Sequence, residues 1–163
     1  MQLLVVRHAK AAEAEPDRAD AARPLTPSGK RRFKRIASGL AELDVEFDVV
    51  LHSPMLRAIQ TAELLAERCD GELRVDELLA RPPQRALFSL LEELSDQGLD
   101  RVAVVGHQPW LGELVAWCLN GATNAASNFH LRKGGVYWLD GEPRPGAFSL
   151  VAALPPNVLA ELG

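Results

Sequence analysis

Three short apolar runs, each followed by a helix-like pattern, place the strongest constraint on the fold of this chain. They cover residues 2–6, 47–51 and 101–105, and Val and Leu dominate them without polar alternation. Such runs are typical of strands in a parallel sheet whose two faces are both covered. Because strands alternate with helices, the sequence predicts an α/β fold. Its expected architecture is a three-layer sandwich, with a mostly parallel central sheet and helices on both faces.

Apolar residues recur at helical spacing after each of these runs. The predicted helices cover residues 26–43, 54–68, 84–93 and 109–119, and a weaker strand covers residues 73–75. Thr26-Pro27 and Ser53-Pro54 each place a hydroxyl directly before a proline. This order is typical of an N-cap residue followed by the first residue of a helix. The sequence therefore predicts that Thr26 and Ser53 cap the first two helices.

The C-terminal part has a different pattern. Apolar segments at residues 134–139 and 148–154 flank a turn-rich segment that contains two prolines and two glycines. This arrangement predicts a hairpin, so that at least one C-terminal strand is antiparallel. The chain has no internal repeat or linker, and its 163 residues match the usual size of one domain. We expect a single domain over residues 1–163.

The charge balance limits the partners of the chain. With 18 basic and 22 acidic residues, the formal net charge is −4. Nucleic-acid binders normally carry a basic excess, so we expect no nucleic-acid partner. Residues 1–60 nevertheless hold 10 basic and 8 acidic side chains, against 8 and 14 in residues 61–163. The acidic total therefore leaves room for a local cationic site in the first third of the chain.

Segment composition predicts a cytoplasmic protein without a membrane partner. No stretch approaches the ~18 apolar residues that a membrane-spanning helix needs. The apolar N-terminus is too short for a signal peptide and is interrupted at Arg7 and His8. Cys69 and Cys118 lie far apart and form no disulfide pattern, as expected in a reducing compartment.

Three histidines directly follow the three apolar runs: His8, His52 and His107. Ligands of open parallel sheets bind outside the carboxyl ends of the strands, so we expect these side chains at one edge. Arg7 precedes the first histidine, and Arg57 lies in the early part of the second predicted helix. Each residue taken alone is more often an ordinary loop or core residue. Together they indicate a site for a phosphoryl group. Guanidinium groups match the geometry of phosphate oxygens, and imidazoles can act as nucleophile or acid.

Three segments carry a resemblance to a known family. They are Arg7-His8-Ala9, residues 53–62 (SPMLRAIQTA) and residues 105–109 (VGHQP). In this order they resemble the signature of the histidine phosphatase (phosphoglycerate-mutase-like) superfamily. The segments at residues 7–11 (RHAKA) and 23–29 (RPLTPSG) are similar to the branch of SixA-type phosphohistidine phosphatases. One departure is Ala9, where the superfamily usually has glycine.

The resemblance implies a role for each matching residue. His8 would be the nucleophile that accepts the phosphoryl group, and Arg7 and Arg57 would clamp the phosphate oxygens. His107 would donate to the transferring group and stabilise its charge. We expect His8 to be neutral and His107 to be partly protonated beside a bound phosphate. No cofactor and no metal ion are implied.

The resemblance assigns Ser53 and Thr61 to the pocket or its surroundings, with Ser53 a further substrate-binding residue. It leaves the general acid open, and Glu77 is a candidate by position alone. The imidazole of phosphohistidine leaves more readily than an alkoxide, because its nitrogen is protonated near neutral pH. The loop at residues 18–23 is expected to leave the pocket open to a protein. The favoured substrate is therefore phosphohistidine of a phosphotransfer protein.

Three alternatives remain at this point. The first is a phosphatase for a small phosphomonoester, such as a sugar phosphate or a nucleotide-derived phosphate. The second is a phosphate-binding module without turnover, for which the nucleophile His8 would have no use. The third is a metal-dependent hydrolase in which His8, His52 and His107 bind zinc, although Arg7 and Arg57 would repel the ion.

Overall fold

The computed structural model describes residues 1–17, 19–66 and 69–163, with the backbone alone at residues 69–71. The strands within these ranges are β1 (Gln2–Arg7), β2 (Phe47–His52), β3 (Cys69–Val75), β4 (Arg101–Gly106), β5 (Val136–Gly141) and β6 (Phe148–Leu154). The α-helices are α1 (Pro27–Ala41), α2 (Leu56–Ala66), α3 (Arg85–Asp96), α4 (Trp110–Asn120) and α5 (Pro156–Leu162). Short 3-10 helices cover Asp20–Ala22, Glu77–Ala80 and Ala126–Asn128.

The strands form one sheet in the order β3-β2-β4-β1-β5-β6. β1, β2, β3 and β4 pair in parallel, whereas β5 pairs antiparallel with both β1 and β6. The α/β prediction with a mostly parallel sheet and an antiparallel C-terminal strand is therefore confirmed. β1 and β4 lie side by side in the middle of the sheet, so that their carboxyl ends share one central position at its edge.

Alternation along β1 divides the core into two layers, because successive side chains of a strand point to opposite faces. Leu4 and Val6 pack on one face with buried residues of α1, α2 and α5. Leu3 and Val5 pack on the other face with buried residues of α3 and α4. Helices thus cover both faces of the sheet, which confirms the predicted three-layer arrangement.

The two hydroxyl-proline segments differ in the structure. Thr26 caps α1: its Oγ1 accepts from the backbone N–H of Gly29 at 3.0 Å, and Pro27 is the first helical residue. Ser53 does not cap α2, because that helix begins only at Leu56. The predicted cap at Ser53 is therefore wrong.

The C-terminal helix α5 was not predicted from the sequence. It has only seven residues, too few for a clear apolar periodicity or for stability in isolation. Its buried Leu159 and Ala160 join the same core layer as Phe33 and Ile36 of α1. Tertiary packing, rather than local propensity, accounts for this helix.

Candidate active site

The register of the central strands places His8 and His107 next to each other. Arg7 at the end of β1 pairs with Gly106 at the end of β4, so the next residue of each strand lies at the same level. The backbone N–H of His8 donates to the carbonyl of Gly106 at 3.1 Å. The two imidazole rings lie 5.0 Å apart between centroids, tilted by 47°. A phosphoryl group can therefore contact both rings at once.

The ring of His8 has one nitrogen left for chemistry. Its Nδ1 lies 2.7 Å from the carbonyl oxygen of Ala9, which can only accept, so Nδ1 carries the proton and Nε2 keeps a lone pair. Burial lowers the pKa of His8 to about 3, and the charges of His107, Arg57 and Arg7 act in the same direction. The hydrogen bond to Ala9 opposes these effects in part. His8 is thus neutral near neutral pH, the form that a nucleophile requires.

His107 is held by a buried hydroxyl. Its Nε2 lies 2.8 Å from Oγ of Ser53, which also accepts from the backbone N–H of Met55 at 3.2 Å. Its Nδ1 is buried and has no hydrogen-bond partner among the described residues. Burial and then the charge of Arg57 lower the pKa of His107 to about 4, and Asp20 opposes them in part. Protonation of His107 near neutral pH would therefore need additional negative charge at the site, such as that of a phosphate.

Two arginines are fixed beside the histidines. Arg7 donates through Nη1 to the carbonyl of Leu131 at 2.6 Å. Arg57 is buried in the first turn of α2, where Nη2 lies 3.0 Å from Sδ of Met55. The Nε–H of each guanidinium is buried and has no hydrogen-bond partner in the described part of the chain. Buried donors of this kind normally have a partner, so these atoms indicate an anion-binding pocket.

Thr61 connects the helix of Arg57 to the segment after His8. Its hydroxyl donates to the backbone carbonyl of Arg57 at 2.6 Å and accepts from the N–H of Ala9 at 3.1 Å. Thr61 is completely buried. It therefore lies behind the pocket, where it holds α2 and the segment after β1 in a fixed relation.

Asp20 is a neighbour of the site that sequence reasoning missed. Its carbonyl accepts from Nη1 of Arg57 at 2.8 Å, and its Oδ2 accepts from Nη2 at 2.9 Å. Its Oδ1 accepts from Arg23 at 2.7 Å. These bonds bring the 3-10 helix Asp20–Ala22 against Arg57. The (i, i+3) spacing of Asp20 and Arg23 was readable in the sequence, but its contact with a residue 37 positions away was not.

Two further sequence candidates, Glu77 and His52, form no hydrogen bond with Arg7, His8, Arg57 or His107 among the described residues. Glu77 is exposed at the start of a 3-10 helix, and no hydrogen bond or ion pair joins it to Arg7, His8 or His107 in the described structure. His52 is buried, with Nδ1 bonded to the carbonyl of Ser53 at 3.1 Å. Within the described residues, no group of three or more His, Cys, Asp or Glu side chains could hold a metal ion. In the same part of the chain, no helix is long and apolar enough to cross a membrane.

Comparisons with known proteins agree with this geometry. The family model of the histidine phosphatase superfamily (branch 1) matches residues 3–80. The phosphohistidine phosphatase SixA of Escherichia coli strain K12 is 32% identical over 76% of this chain and 77% of its own. An uncharacterized protein of Picosynechococcus sp. is 37% identical over 85% of this chain and 84% of its own.

A solved structure extends the similarity to the whole fold. The structure of the protein histidine phosphatase SixA complexed with tungstate superposes on the chain with a TM-score of 0.83 and 28% sequence identity. The alignment covers 98% of this chain and 99% of that one. The family match, the curated relative SixA and the similarity of the whole fold lead to one conclusion: the chain belongs to the SixA-type branch of the histidine phosphatase superfamily.

Proposed function

We propose that this phosphatase hydrolyses phosphohistidine of a phosphotransfer protein through a phosphoenzyme on His8. The observation that carries the proposal is a set of buried nitrogen atoms around one neutral imidazole that have no hydrogen-bond partner among the described residues. Nε of Arg7, Nε of Arg57 and Nδ1 of His107 belong to this set. Phosphoryl transfer requires mainly positioning and charge stabilisation, which these groups supply without a metal ion.

The reaction has two steps. In the first, the lone pair on Nε2 of His8 attacks phosphorus, and the bond between phosphorus and the substrate nitrogen breaks while that nitrogen takes up a proton. In the second, water attacks the phosphorus of phospho-His8 and the new P–N bond breaks. The electron pair of that bond returns to Nε2 of His8, and inorganic phosphate leaves. Arg7, Arg57 and His107 donate to the phosphoryl oxygens in both transition states. Ser53 holds the ring of His107 for this purpose.

The charge state of Asp20 favours a P–N substrate over an alkyl phosphate. Asp20 is the carboxylate that acts on the pKa of His107, and the hydrogen bond from Arg57 lowers its own pKa. A carboxyl group with a lowered pKa is ionised near neutral pH and has no proton to donate, whereas an alkoxide leaving group needs a proton donor. An imidazole leaving group is protonated by solvent in the same range. Glu77 remains the positional candidate for a general acid.

The decisive experiment compares substrates and traps the intermediate. Turnover of a phosphotransfer domain that carries phosphohistidine is measured beside a panel of sugar phosphates and nucleotide-derived phosphates. We expect the phosphoprotein to give the larger kcat/KM, with activity unchanged by EDTA. A 32P adduct that is labile in acid and stable in base should form on the wild type and be lost in His8→Ala. Much faster turnover of the small esters would overturn the substrate class, and binding without an adduct would overturn the enzymatic mechanism.

A further inference from the structure

Helix α1 presents a cationic surface that the proposed chemistry does not use. Over its 15 residues α1 contains no acidic residue. Its exposed basic side chains are Lys30, Arg31, Arg32, Lys34 and Arg35. This concentration occurs in a chain of net charge −4. Repulsion among like charges on neighbouring turns lowers stability, so a partner of opposite charge would stabilise this surface.

Two neighbouring clefts on this surface share lining residues, and together they are called the groove. The first has a volume of about 440 Å³, and its polar lining includes Lys10, Ser28, Arg32 and Lys133. The second has a volume of about 540 Å³ and is lined by Ser28, Arg31, Arg32, Arg35, Asn157, Ala160 and Glu161. Ser28 and Arg32 line both clefts, so the two clefts lie side by side along α1, and the second extends to residues of α5. Glu161 is the acidic side chain in this lining.

The first cleft lies near the candidate active site. Ala9, which follows the nucleophile His8, lines it together with Gly134. The backbone N–H of Gly134 donates to the carbonyl of Arg7 at 3.0 Å. Burial, and then the charges of Arg7 and Arg23 ahead of those of Lys10 and Arg57, lower the pKa of Lys133. The phosphate clamp and this end of the groove therefore share one electrostatic field.

The basic groups of the groove are available for an external anion. Within the described residues, no carboxylate forms an ion pair with Lys10, Arg31, Arg32, Arg35 or Lys133. Ser28, Arg32 and Arg35 lie on one side of α1, since residues three and four apart are neighbours on a helix. From residue 28 to residue 35 the helix axis rises by about 10 Å. Together with the first cleft, this line of polar and basic side chains is longer than one small phosphate ester.

We propose that this groove binds an acidic segment of the phosphoprotein substrate, adjacent to its phosphohistidine. The inference rests on the proposed function, since the phosphoryl group in the pocket sets the position of the segment. Carboxylates of the segment would pair with Lys10 and Lys133 near the pocket and then with the arginines of α1. Such pairs across a partly exposed interface contribute mainly specificity and association rate, and salt weakens them.

The test uses two peptides of equal length that carry phosphohistidine or its non-hydrolysable phosphoryl-triazolylalanine analogue. One peptide has three glutamates beside the phosphorylated residue, and the other has three glutamines at the same positions. Each peptide is made in two versions, with these three residues either before or after the phosphorylated residue. Dissociation constants of the analogues are measured by fluorescence anisotropy, and kcat/KM is measured with the phosphohistidine forms. For the wild type we expect about tenfold preference for the acidic peptide in one of the two orders, decreasing with salt.

The variant Arg31→Gln/Arg32→Gln/Arg35→Gln should reduce this preference to about twofold or less, while turnover of free phosphohistidine stays within about twofold of the wild type. The matched control is Arg81→Gln/Arg85→Gln/Arg144→Gln, which removes the same charge at exposed positions outside the groove. We expect the control to keep the wild-type preference.

The outcomes separate the two proposals. Equal affinity of the acidic and neutral peptides, with both hydrolysed, overturns the docking inference and leaves the proposed function in place. Preferential binding of the acidic analogue without hydrolysis of either phosphohistidine peptide overturns the proposed function and retains the groove as an acidic-segment site. If the peptides bind equally but inorganic pyrophosphate inhibits the wild type far more than the α1 variant, the groove takes a small polyanion and the inference is wrong.

Discussion

His8 and His52 have nearly the same local surroundings and yet differ in what they can do. Each follows an apolar run, each is buried, and each bonds through Nδ1 to the carbonyl of the next residue. Only His8 lies against the ring of His107, in the field of Arg7 and Arg57. Local sequence and local geometry therefore do not distinguish the proposed nucleophile His8 from the core histidine His52.

The register of the sheet explains the difference. Val6 and His52 both pair with Val105 of the central strand β4, so these two residues lie at the same level. His8 lies two residues beyond that level, after the end of β1, and His107 lies at the matching position after the end of β4. His52 is thus the counterpart of a core valine, and Ser53, the first residue after β2, is the one that reaches His107. Position relative to the neighbouring strand, rather than to the apolar run, determines which histidine enters the pocket.

The largest expected effect is a direct test of this comparison. His8→Asn should reduce kcat by more than about 10³-fold and abolish the phosphoenzyme, because the attacking nitrogen is removed. His52→Asn should keep kcat/KM within a few-fold of the wild type, although the buried substitution lowers stability. Rapid-quench trapping of the 32P adduct measures both variants. Comparable losses in the two variants, with both proteins folded by circular dichroism, would show that the register argument is wrong.

The second prediction concerns the cations around His8. Arg57→Gln should lower kcat/KM by about 10²-fold, as expected for loss of a charged donor to the transition state. Because the charge of Arg57 lowers the pKa of both His8 and His107, its removal should also move the acid limb of the pH–rate profile to higher pH. A full pH–rate profile measures both effects. Lower activity with an unmoved acid limb would indicate that Arg57 affects binding alone.

The third prediction is a loss of stability in acid. His8 and His107 have folded-state pKa values of about 3 and about 4, below the ordinary value of 6.5. Between the folded and the unfolded pKa values, the unfolded chain binds more protons than the folded chain. The free energy of unfolding therefore has its full value above about pH 6.5 and decreases as the pH falls towards 4. The expected loss is on the order of 4 kcal/mol by pH 5, about 2 kcal/mol for each histidine. Urea unfolding at pH 7 and pH 5 measures it, and a double variant His8→Asn/His107→Asn should show a smaller difference between the two pH values.

The sequence predicts features that follow from periodic patterns and motifs along the chain. It does not predict features that depend on contacts between residues far apart in the chain. The apolar runs predicted the parallel strands and both helical layers, and the order of motifs brought Arg7, His8, Arg57 and His107 together. Asp20 was missed because its bond to Arg57 spans a segment without periodicity, and α5 because it is too short for a periodic signal. The local Ser-Pro signal predicts a cap at Ser53 as it does at Thr26, whereas the family resemblance assigns Ser53 to the pocket, where its hydroxyl meets His107. The structural difference arises from the neighbouring strand, which local sequence does not encode.

The smallest expected effect separates the two hydroxyl-proline segments. Ser53→Ala removes the hydroxyl that holds Nε2 of His107, so kcat/KM should fall about five- to tenfold with an altered pH profile, as expected for a positioning residue. Thr26→Ala removes a helix cap, so it should cost about 1 kcal/mol of unfolding free energy and leave the pH profile unchanged. Paired urea unfolding and pH–rate measurements on both variants test the contrast. A Ser53→Ala protein that loses stability while keeping the wild-type profile would place Ser53 with Thr26, as a residue that stabilises the fold.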